Sequence, residues 1–169
     1  MPEAAAIHVR LIWLCAIASL GSVALALVLQ HAFGMQPCAW CVLQRLFYLL
    51  VAAFCLVALT LRRAPAGAIP ALLLADLSAS LGLAAAVYHQ FVAARPGFCG
   101  VTLADRFLMA TSLHEYLPWL MNPTAMCDEA NVPLLGVPFA VWSIALFALL
   151  SLLISVVLVG ALRRATARR

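Results

Sequence analysis

The segment QPCAWCVLQRLFYLLVAAFCLVALTLRR, residues 36–63, joins two closely spaced cysteines to a long apolar run. That run covers about residues 42–61, contains one charged residue, Arg45, and ends at Arg62 and Arg63. About 20 apolar residues in a helix are enough to cross the hydrocarbon core of a bilayer. The segment therefore predicts a membrane-spanning helix that starts beside the cysteines and stops at a pair of arginines.

The composition of the whole chain supports the same interpretation. Apolar residues make up 67% of the 169 residues and charged residues only 9%, whereas soluble domains average roughly 25% charged residues. So little polar surface cannot cover a water-facing globule. We therefore predict an all-α membrane protein, one domain over residues 1–169 built as a bundle of four transmembrane helices. The four predicted spans are about 11–29, 42–61, 69–92 and 138–162.

The arginines predict how the chain is oriented. They lie at the ends of the apolar runs and not along one face, which argues against a nucleic-acid partner. Three of them, Arg45, Arg95 and Arg106, fall on one side of the membrane. The other seven are Arg10, Arg62, Arg63, Arg163, Arg164, Arg168 and Arg169. The positive-inside rule then places both termini in the cytoplasm and the loops at about 30–41 and 93–137 in the periplasm of a bacterium, outside its inner membrane.

The first apolar run has an alternative interpretation as a cleaved signal peptide, with the small residues 24–26 as the cleavage site. The apolar core of a signal peptide is usually 7–15 residues long. The run at 11–29 is longer than that and continues past the candidate site. We therefore expect it to remain as the first membrane helix.

The six cysteines divide according to the predicted spans. Cys15 and Cys55 lie inside spans, where a thiol is a small, protonated and unreactive apolar group. The other four fall in or beside the outer loops: Cys38, Cys41, Cys99 and Cys127. Disulfides persist in the periplasm and not in the cytosol. The four loop cysteines are therefore on the side where disulfide chemistry is possible.

The Cys38–Cys41 pair indicates redox chemistry more strongly than structural cross-linking. A disulfide across two intervening residues closes a very short loop and stabilises little through chain entropy, whereas Cys-x-x-C pairs are common in thiol exchange. For Cys99 and Cys127 alone, a structural disulfide is the simpler interpretation. The second pair lacks the close spacing of zinc ligands, and covalent haem needs a histidine where residue 42 is valine. We therefore expect no metal and no haem.

Cys41 and Arg45 are spaced to cooperate. Pro37 cannot extend a preceding helix, so the second span begins at or just after Cys41 and its sulfur lies near a helix N-terminus. Exposed N–H groups and the helix dipole favour an anion there. Arg45 lies four residues further on and therefore on the same face, where its charge would favour a thiolate. An arginine at a helix end could instead reach lipid phosphates.

The sequence PCAWCVLQR, residues 37–45, resembles the first periplasmic loop of the disulfide bond formation protein B (DsbB) family, whose pattern is P-C-x-x-C-x-x-x-R. The four spans, the inside termini and a second cysteine pair in a long second outer loop fit the same family. So does CDEANVPLLGVPFAVWS, residues 127–143, which leads from the last loop cysteine into the fourth span. The resemblance covers almost the whole chain and implies a thiol:quinone oxidoreductase.

Members of this family reoxidise DsbA, a soluble periplasmic dithiol oxidase, and pass the electrons to membrane quinone. The resemblance implies that a reduced DsbA-like partner attacks Cys99 of a Cys99–Cys127 disulfide. The released Cys127 would then attack Cys38, and Cys41 would leave as a thiolate beside the quinone. Arg45 would stabilise that thiolate and the reduced quinone. The implied cofactor is ubiquinone or menaquinone, and no G-x-G-x-x-G fingerprint indicates a flavin or a nicotinamide.

Two further residues are candidates for quinone contact. His89, near the outer end of the third span, could hydrogen-bond a quinone carbonyl, as the resemblance also implies, or belong to an interfacial aromatic belt. Gln44 has the same two interpretations with less support. Asp76, within the third span, could relay protons, but the sequence assigns it no role.

The second outer loop contains apolar residues at steps of three and four, which predicts an amphipathic helix. Such a helix would lie in the membrane surface as an anchor, and it could also limit how far Cys127 travels. The apolar positions are Leu103, Phe107, Ala110, Leu113, Leu117 and Leu120.

Two other functions fit part of the pattern. Enzymes of the vitamin K epoxide reductase type are also four-helix quinone enzymes, but that family places its Cys-x-x-C at the start of the last span, and here the pair opens the second. A non-catalytic membrane scaffold with disulfide-pinned loops would also account for the cysteines. Such a scaffold would leave quinone unreduced.

Overall fold

Four long helices follow the four apolar runs and dominate the structure, which is a computed structural model that describes residues 2–62, 64–95 and 101–167. All four are long and apolar enough to cross a membrane. The all-α, four-helix membrane fold is therefore confirmed. In chain order the elements are α1 (Pro2–Phe33), α2 (Ala39–Thr60), α3 (Pro65–Tyr88), a π-helical turn (His89–Ala93), α4 (Leu103–Thr111), α5 (Leu113–Tyr116), α6 (Pro118–Met121), α7 (Cys127–Ala130), β1 (Pro133–Leu134), β2 (Val137–Pro138) and α8 (Phe139–Thr166).

The second helix begins earlier than the sequence indicates. Cys38 is the N-cap of α2, in an extended conformation with φ −89° and ψ 174°, and its carbonyl accepts the first helical hydrogen bond from Val42 N at 3.0 Å. Pro37 directly precedes the cap and cannot continue a helix. Cys41 therefore lies inside the first helical turn, whereas the sequence predicted that the helix would begin at or just after it.

Small side chains allow the membrane helices to approach closely. Helix α2 packs between α1 and α3, and α3 also packs against α8. Eight buried side chains of α2 and α3 are alanines, and small residues are typical of close helix contacts in membranes, where lipid is as apolar as the core. They are Ala39, Ala52, Ala58, Ala71, Ala75, Ala79, Ala85 and Ala86.

A three-residue contact fixes how α2, α3 and α8 meet. Tyr48 of α2 and Phe147 of α8 stack with their ring centroids 3.9 Å apart, and Phe147 is completely buried. The Phe147 ring lies directly over Gly82 of α3, so that a Cβ atom at position 82 would collide with it. Glycine is therefore required at this point of α3 by space and not by backbone conformation.

The carboxylate and the two thiols inside the spans lie in different surroundings. Asp76 of α3 accepts hydrogen bonds from the hydroxyls of Ser151 and Ser155 of α8, both at 3.1 Å. Cys15 and Cys55 are almost completely buried in the core, as the sequence predicts. Asp76 thus helps to join α3 to α8.

The second outer loop differs from the single amphipathic helix that the sequence predicts. Helix α4 begins with a capping box between Thr102 and Asp105, and it ends at Ser112, whose φ of 50° is left-handed and breaks the helix. The segment therefore forms three short helices, α4 to α6. Ala104 and Leu108 are the buried residues of α4, which contacts α2, and the predicted apolar residues Leu103 and Phe107 face outward. That this outward face lies in the membrane surface stays a prediction.

Gly82→Ala tests the packing between α3 and α8. Placing a methyl group under Phe147 should lower the stability by about 1–3 kcal/mol, as overpacking does in other cores. Gly21→Ala in α1 is the matched control, because a Cβ there meets nothing within 4 Å and a helical Gly→Ala change favours the helix by up to about 1 kcal/mol. Thermal unfolding in detergent should show a lower midpoint for Gly82→Ala only, and equal midpoints would contradict the contact.

Candidate redox site

The start of α2 holds the Cys-x-x-C pair at the outer end of the bundle. Cys38 is completely buried and Cys41 is partly exposed, and the Cys38 thiol donates to Cys41 Sγ at 3.3 Å. Between them, Trp40 packs against Tyr88 at the end of α3, with ring centroids 4.7 Å apart. This contact fixes the first turn of α2 against α3 and turns the two sulfurs to different surroundings.

Backbone hydrogen bonds dock the second outer loop onto the first. The carbonyl oxygen of Pro37 accepts from the N–H groups of Thr124 and Ala125 at 2.9 and 3.2 Å. The Thr124 hydroxyl also donates to Gln36 Oε1 at 2.6 Å. Because Thr124 and Ala125 lie just before α7, these bonds bring Cys127, the first residue of α7, to Cys38.

His89 lies behind the cysteines and is completely buried. It is the first residue of the π-helical turn that follows α3, and such turns are frequent at functional sites. Its Nε2 atom is 3.5 Å from Cys38 Sγ and 3.4 Å from the Cys127 carbonyl oxygen. Gln44 Nε2 lies 3.4 Å from His89 Nδ1. With Gln44 donating to Nδ1, the Nε2 atom carries the proton and directs it at Cys38 and Cys127.

The contact between the sulfurs of Cys38 and Cys127, which lie within 4.8 Å of each other, makes the two thiols unequal. Interaction with the sulfurs of Cys127 and Cys41, together with burial, raises the pKa of the Cys38 thiol well above its ordinary value. Interaction with the Cys38 thiol lowers the pKa of Cys127. In this arrangement the proton stays on Cys38, so Cys127 is the more readily formed thiolate and the better nucleophile of the two.

Arg45 is buried, with only 5% of its surface exposed. Its Nη1 atom donates to Gln30 Oε1 of α1 at 2.7 Å and to the carbonyl oxygen of Leu120 in α6 at 2.9 Å. A guanidinium held in this way does not extend to the lipid phosphates. The geometry therefore favours a role for Arg45 beside Cys41, one helical turn away.

A cavity of about 540 Å³ opens between α1, α2 and α8 beside Cys41, within the usual size range of small-molecule sites. Three polar or charged side chains of α2, Gln44, Arg45 and Tyr48, reach it together with Cys41. The rest of the lining is mostly apolar and includes Leu25, Leu29, Met35, Phe139, Trp142, Leu146 and Leu149. Cys38 and His89 are not among the residues that line it.

Comparison of the sequence with known proteins shows which family the chain matches. The family model described as disulfide bond formation protein DsbB matches residues 8–157, which include the four cysteines, Arg45 and the residues that line the cavity.

The chain belongs to the DsbB family.

Similar proteins named disulfide bond formation protein B come from several bacteria. The one from Herminiimonas arsenicoxydans is 32% identical over 138 residues, which is 81% of this chain and 86% of the relative. The one from Ralstonia nicotianae is 32% identical over 154 residues, 89% and 94% of the two chains. The one from Burkholderia pseudomallei is 28% identical over 148 residues, 87% of each chain. Family membership makes the chain an oxidoreductase of disulfide bond formation.

The structure brings most of the predicted DsbB site residues together, but not all of them can be placed. Cys38, Cys41 and Cys127 form one cluster with His89 and Gln44, and Arg45 follows one turn later. Cys99 lies outside the described residues. Of the three residues predicted to contact quinone, Gln44 and Arg45 line the cavity, whereas His89 faces the thiols. The functional assignments themselves stay predictions.

Sequence reasoning missed Gln30. The prediction placed residue 30 at the start of a loop, whereas it belongs to α1 and its amide oxygen accepts from the Arg45 guanidinium. The signal in the sequence was a polar residue at the end of the first apolar run, at about the same predicted membrane depth as Arg45 in the second. A buried charge needs such a partner.

One cluster of possible metal-ligand atoms was not indicated by the spacing of the cysteines in the sequence. Ligand atoms of Cys38, His89 and Cys127 all lie within 4.8 Å of one another, and two sulfurs with an imidazole nitrogen are able to bind a soft ion such as Zn²⁺. The sequence argument against zinc rested on the distance along the chain between Cys99 and Cys127. The expected absence of a metal therefore stays a prediction.

The unequal thiols predict a measurable pH dependence. In the reduced protein, alkylation of Cys127 by iodoacetamide, followed by mass spectrometry of its peptide over a pH series, should have a midpoint below that of an ordinary cysteine. Cys38→Ala removes the neighbouring thiol and should move this midpoint upward. Cys55→Ala, in the core, is the control and should leave it in place. A midpoint that does not respond to Cys38→Ala would contradict the assigned interaction between the two thiols.

Proposed function

We propose that the chain reoxidises a periplasmic DsbA-like dithiol oxidase and passes two electrons to ubiquinone or menaquinone in the inner membrane. The proposal depends on one observation above the others, namely that the two sulfurs of a single Cys-x-x-C pair face different surroundings. Cys38 faces Cys127 of the second outer loop, and Cys41 faces the apolar cavity. One disulfide can therefore accept electrons on one side and release them on the other.

The thiol side of the site supports exchange between the loops. A reduced partner would attack Cys99 in a Cys99–Cys127 disulfide, form a mixed disulfide and release Cys127 as a thiolate. That thiolate would attack Cys38, forming a Cys38–Cys127 bond while the Cys38–Cys41 bond breaks. Each exchange makes one S–S bond and breaks one. The lowered pKa of Cys127 and its place beside Cys38 suit it to the attack.

The other product of this exchange is the Cys41 thiolate. It would form in the first turn of α2, where unpaired backbone N–H groups and the helix dipole stabilise an anion. Arg45 adds a positive charge one turn deeper and is held in place by Gln30. These two effects make Cys41 the better leaving group of the pair.

The cavity beside Cys41 fits a quinone. It is about 540 Å³ in volume and largely apolar, and Gln44, Arg45 and Tyr48 of α2 reach it together with the polar side chains of Ser22, Gln36 and Ser143. The partner's second thiol would resolve the mixed disulfide, and the released Cys99 would re-form its bond to Cys127 and free Cys38. Oxidation of Cys38 and Cys41 back to their disulfide would then yield two electrons and two protons, which a bound quinone would accept. The chain would hold the ring beside Cys41, keep water out with Leu25, Trp142 and Leu146, and offer the Arg45 guanidinium to the developing negative charge.

His89 is better suited to the thiols than to the quinone. Its Nε2 proton points at Cys38 and at the Cys127 carbonyl oxygen, and its Nδ1 atom is occupied by Gln44. We therefore assign it the role of orienting Cys38 and Cys127 during exchange. Gln44 contacts both the thiol cluster, through His89, and the cavity that it lines.

A non-catalytic scaffold with disulfide-pinned loops is the alternative from another class. It would need neither an apolar cavity beside Cys41 nor a buried guanidinium at its mouth. The position of the Cys-x-x-C at the start of the second membrane helix also separates the chain from the vitamin K epoxide reductase type.

Replacing Cys41 with serine separates the two halves of the reaction. Quinone reduction by a reduced DsbA-like partner should fall to the uncatalysed level, because the sulfur that faces the cavity is gone. Cys99 should still trap the partner in a mixed disulfide, visible on a non-reducing gel. Cys55→Ala, about four turns further along the same helix at 3.6 residues per turn, is the control and should retain turnover. Normal quinone reduction by Cys41→Ser would refute the role of Cys41.

Arg45→Ala tests the cation at the cavity. Losing a charge-assisted contact of about 1.5–3 kcal/mol should raise the apparent KM for quinone by tenfold or more, measured as quinol formation at increasing quinone concentration. Arg45→Lys should restore part of the affinity, since it keeps the charge but not the two-centre geometry. Arg106→Ala, at an exposed position of α4, is the control. Unchanged kinetics in Arg45→Ala would leave it a purely structural role.

A further inference from the structure

The end of the bundle opposite the cysteines contains a second cavity, of about 520 Å³, that the thiol chemistry does not use. It is bordered by α1, by α2 and the turn after it, by α3 and by α8. Its inner wall is apolar and includes Val9, Ile12, Ala58, Leu72 and Val157. Its rim is basic and consists of His8, Arg10, Arg62 and Arg164. The cavity therefore combines a hydrocarbon-lined interior with a cationic opening.

The structure describes the side chains of residues 6–62, 64, 67–95 and 101–167, and no carboxylate among them neutralises the positive charge at this rim. The single ion pair among these side chains joins His114 and Glu115 in the second outer loop, at 3.8 Å. Arg10, Arg62 and Arg164 come from three different parts of the chain, and all three line the same cavity. Guanidinium groups that converge without an acidic partner are suited to bind a phosphate.

Specific packing holds one side of this rim together. The Arg164 guanidinium donates to His8 Nδ1, which joins α8 to α1. His8 lies directly against Gly160, where a Cβ atom would stand 2.5 Å from His8 Cε1. Glycine at position 160 thus makes room for the imidazole at the cavity wall. The rim is a packed contact between two helices and not a set of independent terminal arginines.

A smaller depression, of about 410 Å³, lies next to this basic cavity. It is lined by Trp13, Leu59, Thr60 and Arg62, so Arg62 borders both depressions. Trp13 is partly exposed on the outside of α1, and tryptophan is enriched where membrane and water meet. Two partly apolar depressions that share a guanidinium fit a ligand with one anionic head and two hydrocarbon chains.

We propose that this basic cavity binds the phosphate headgroup of an anionic phospholipid of the leaflet on this side, which the arginine distribution predicts to be the cytoplasmic one. The phosphate would lie among Arg10, Arg62 and Arg164, and the acyl chains would follow the apolar walls. Basic pockets between membrane helices on that side are known to take such headgroups. The site is separate from the redox centre, and it does not depend on the function proposed above.

The test is a lipid titration of the full-length, delipidated protein in detergent, followed by native mass spectrometry. Dioleoyl phosphatidylglycerol should bind at least tenfold more tightly than dioleoyl phosphatidylcholine. The double variant Arg62→Gln/Arg164→Gln should lose about fivefold in affinity for phosphatidylglycerol for each guanidinium removed. Arg163→Gln is the matched control, since it removes the same charge one residue away on α8 and does not line the cavity. It should change the affinity less than twofold.

A second variant keeps the test independent of how the charge changes affect folding. Ala161→Leu leaves every arginine in place and fills the cavity from α8, and it should also weaken phosphatidylglycerol binding. Equal affinity for the two lipids, or an equal loss in Arg163→Gln, would overturn the proposal, because attraction to the surface charge alone would then explain binding. If inorganic phosphate competed with phosphatidylglycerol at equal concentration, the site would be one for free phosphate and the lipid assignment would be wrong.

Discussion

The buried guanidinium of Arg45 is the constraint that joins the parts of the outer end. It connects α2 to Gln30 of α1 and to the backbone of the second outer loop at Leu120. A charge at this depth is costly unless its donors are bound, so these contacts must form whenever α2 is inserted. The same requirement fixes the charge beside Cys41. The residue that stabilises the fold here is therefore also the one that prepares the proposed leaving group.

The two cysteines of the Cys-x-x-C pair face different surroundings because of where each lies at the start of α2. Cys38 is the cap and points into the protein toward His89 and Cys127, whereas Cys41 is one turn along and reaches the cavity between α1 and α8. In the proposed function, this short helical turn separates the side of thiol exchange from the side of the quinone. The proposed exchange requires motion of the second loop, which is docked through backbone hydrogen bonds to Pro37.

The two ends of the bundle use arginine differently. Near the cysteines a single guanidinium, that of Arg45, is buried and donates to Gln30 and to the backbone of Leu120. At the opposite end Arg10, Arg62 and Arg164 are exposed and border a cavity. Counting arginines along the sequence predicts the orientation of the chain, but it treats both kinds alike. Only their surroundings distinguish the buried arginine from the exposed ones.

The sequence by itself determined the four membrane helices, because the length and apolarity of a span are properties of a continuous segment. It also determined the redox motif and the pairing of Cys41 with Arg45, because both depend on spacing within one helical turn. It did not determine the break at Ser112, the contact of His89 with Cys38, or Gln30 as the partner of Arg45. The last two depend on residues that are distant along the chain and adjacent only after the helices pack. Tertiary structure alone decided these two contacts, since burial and hydrogen bonding between segments have no signature in local periodicity.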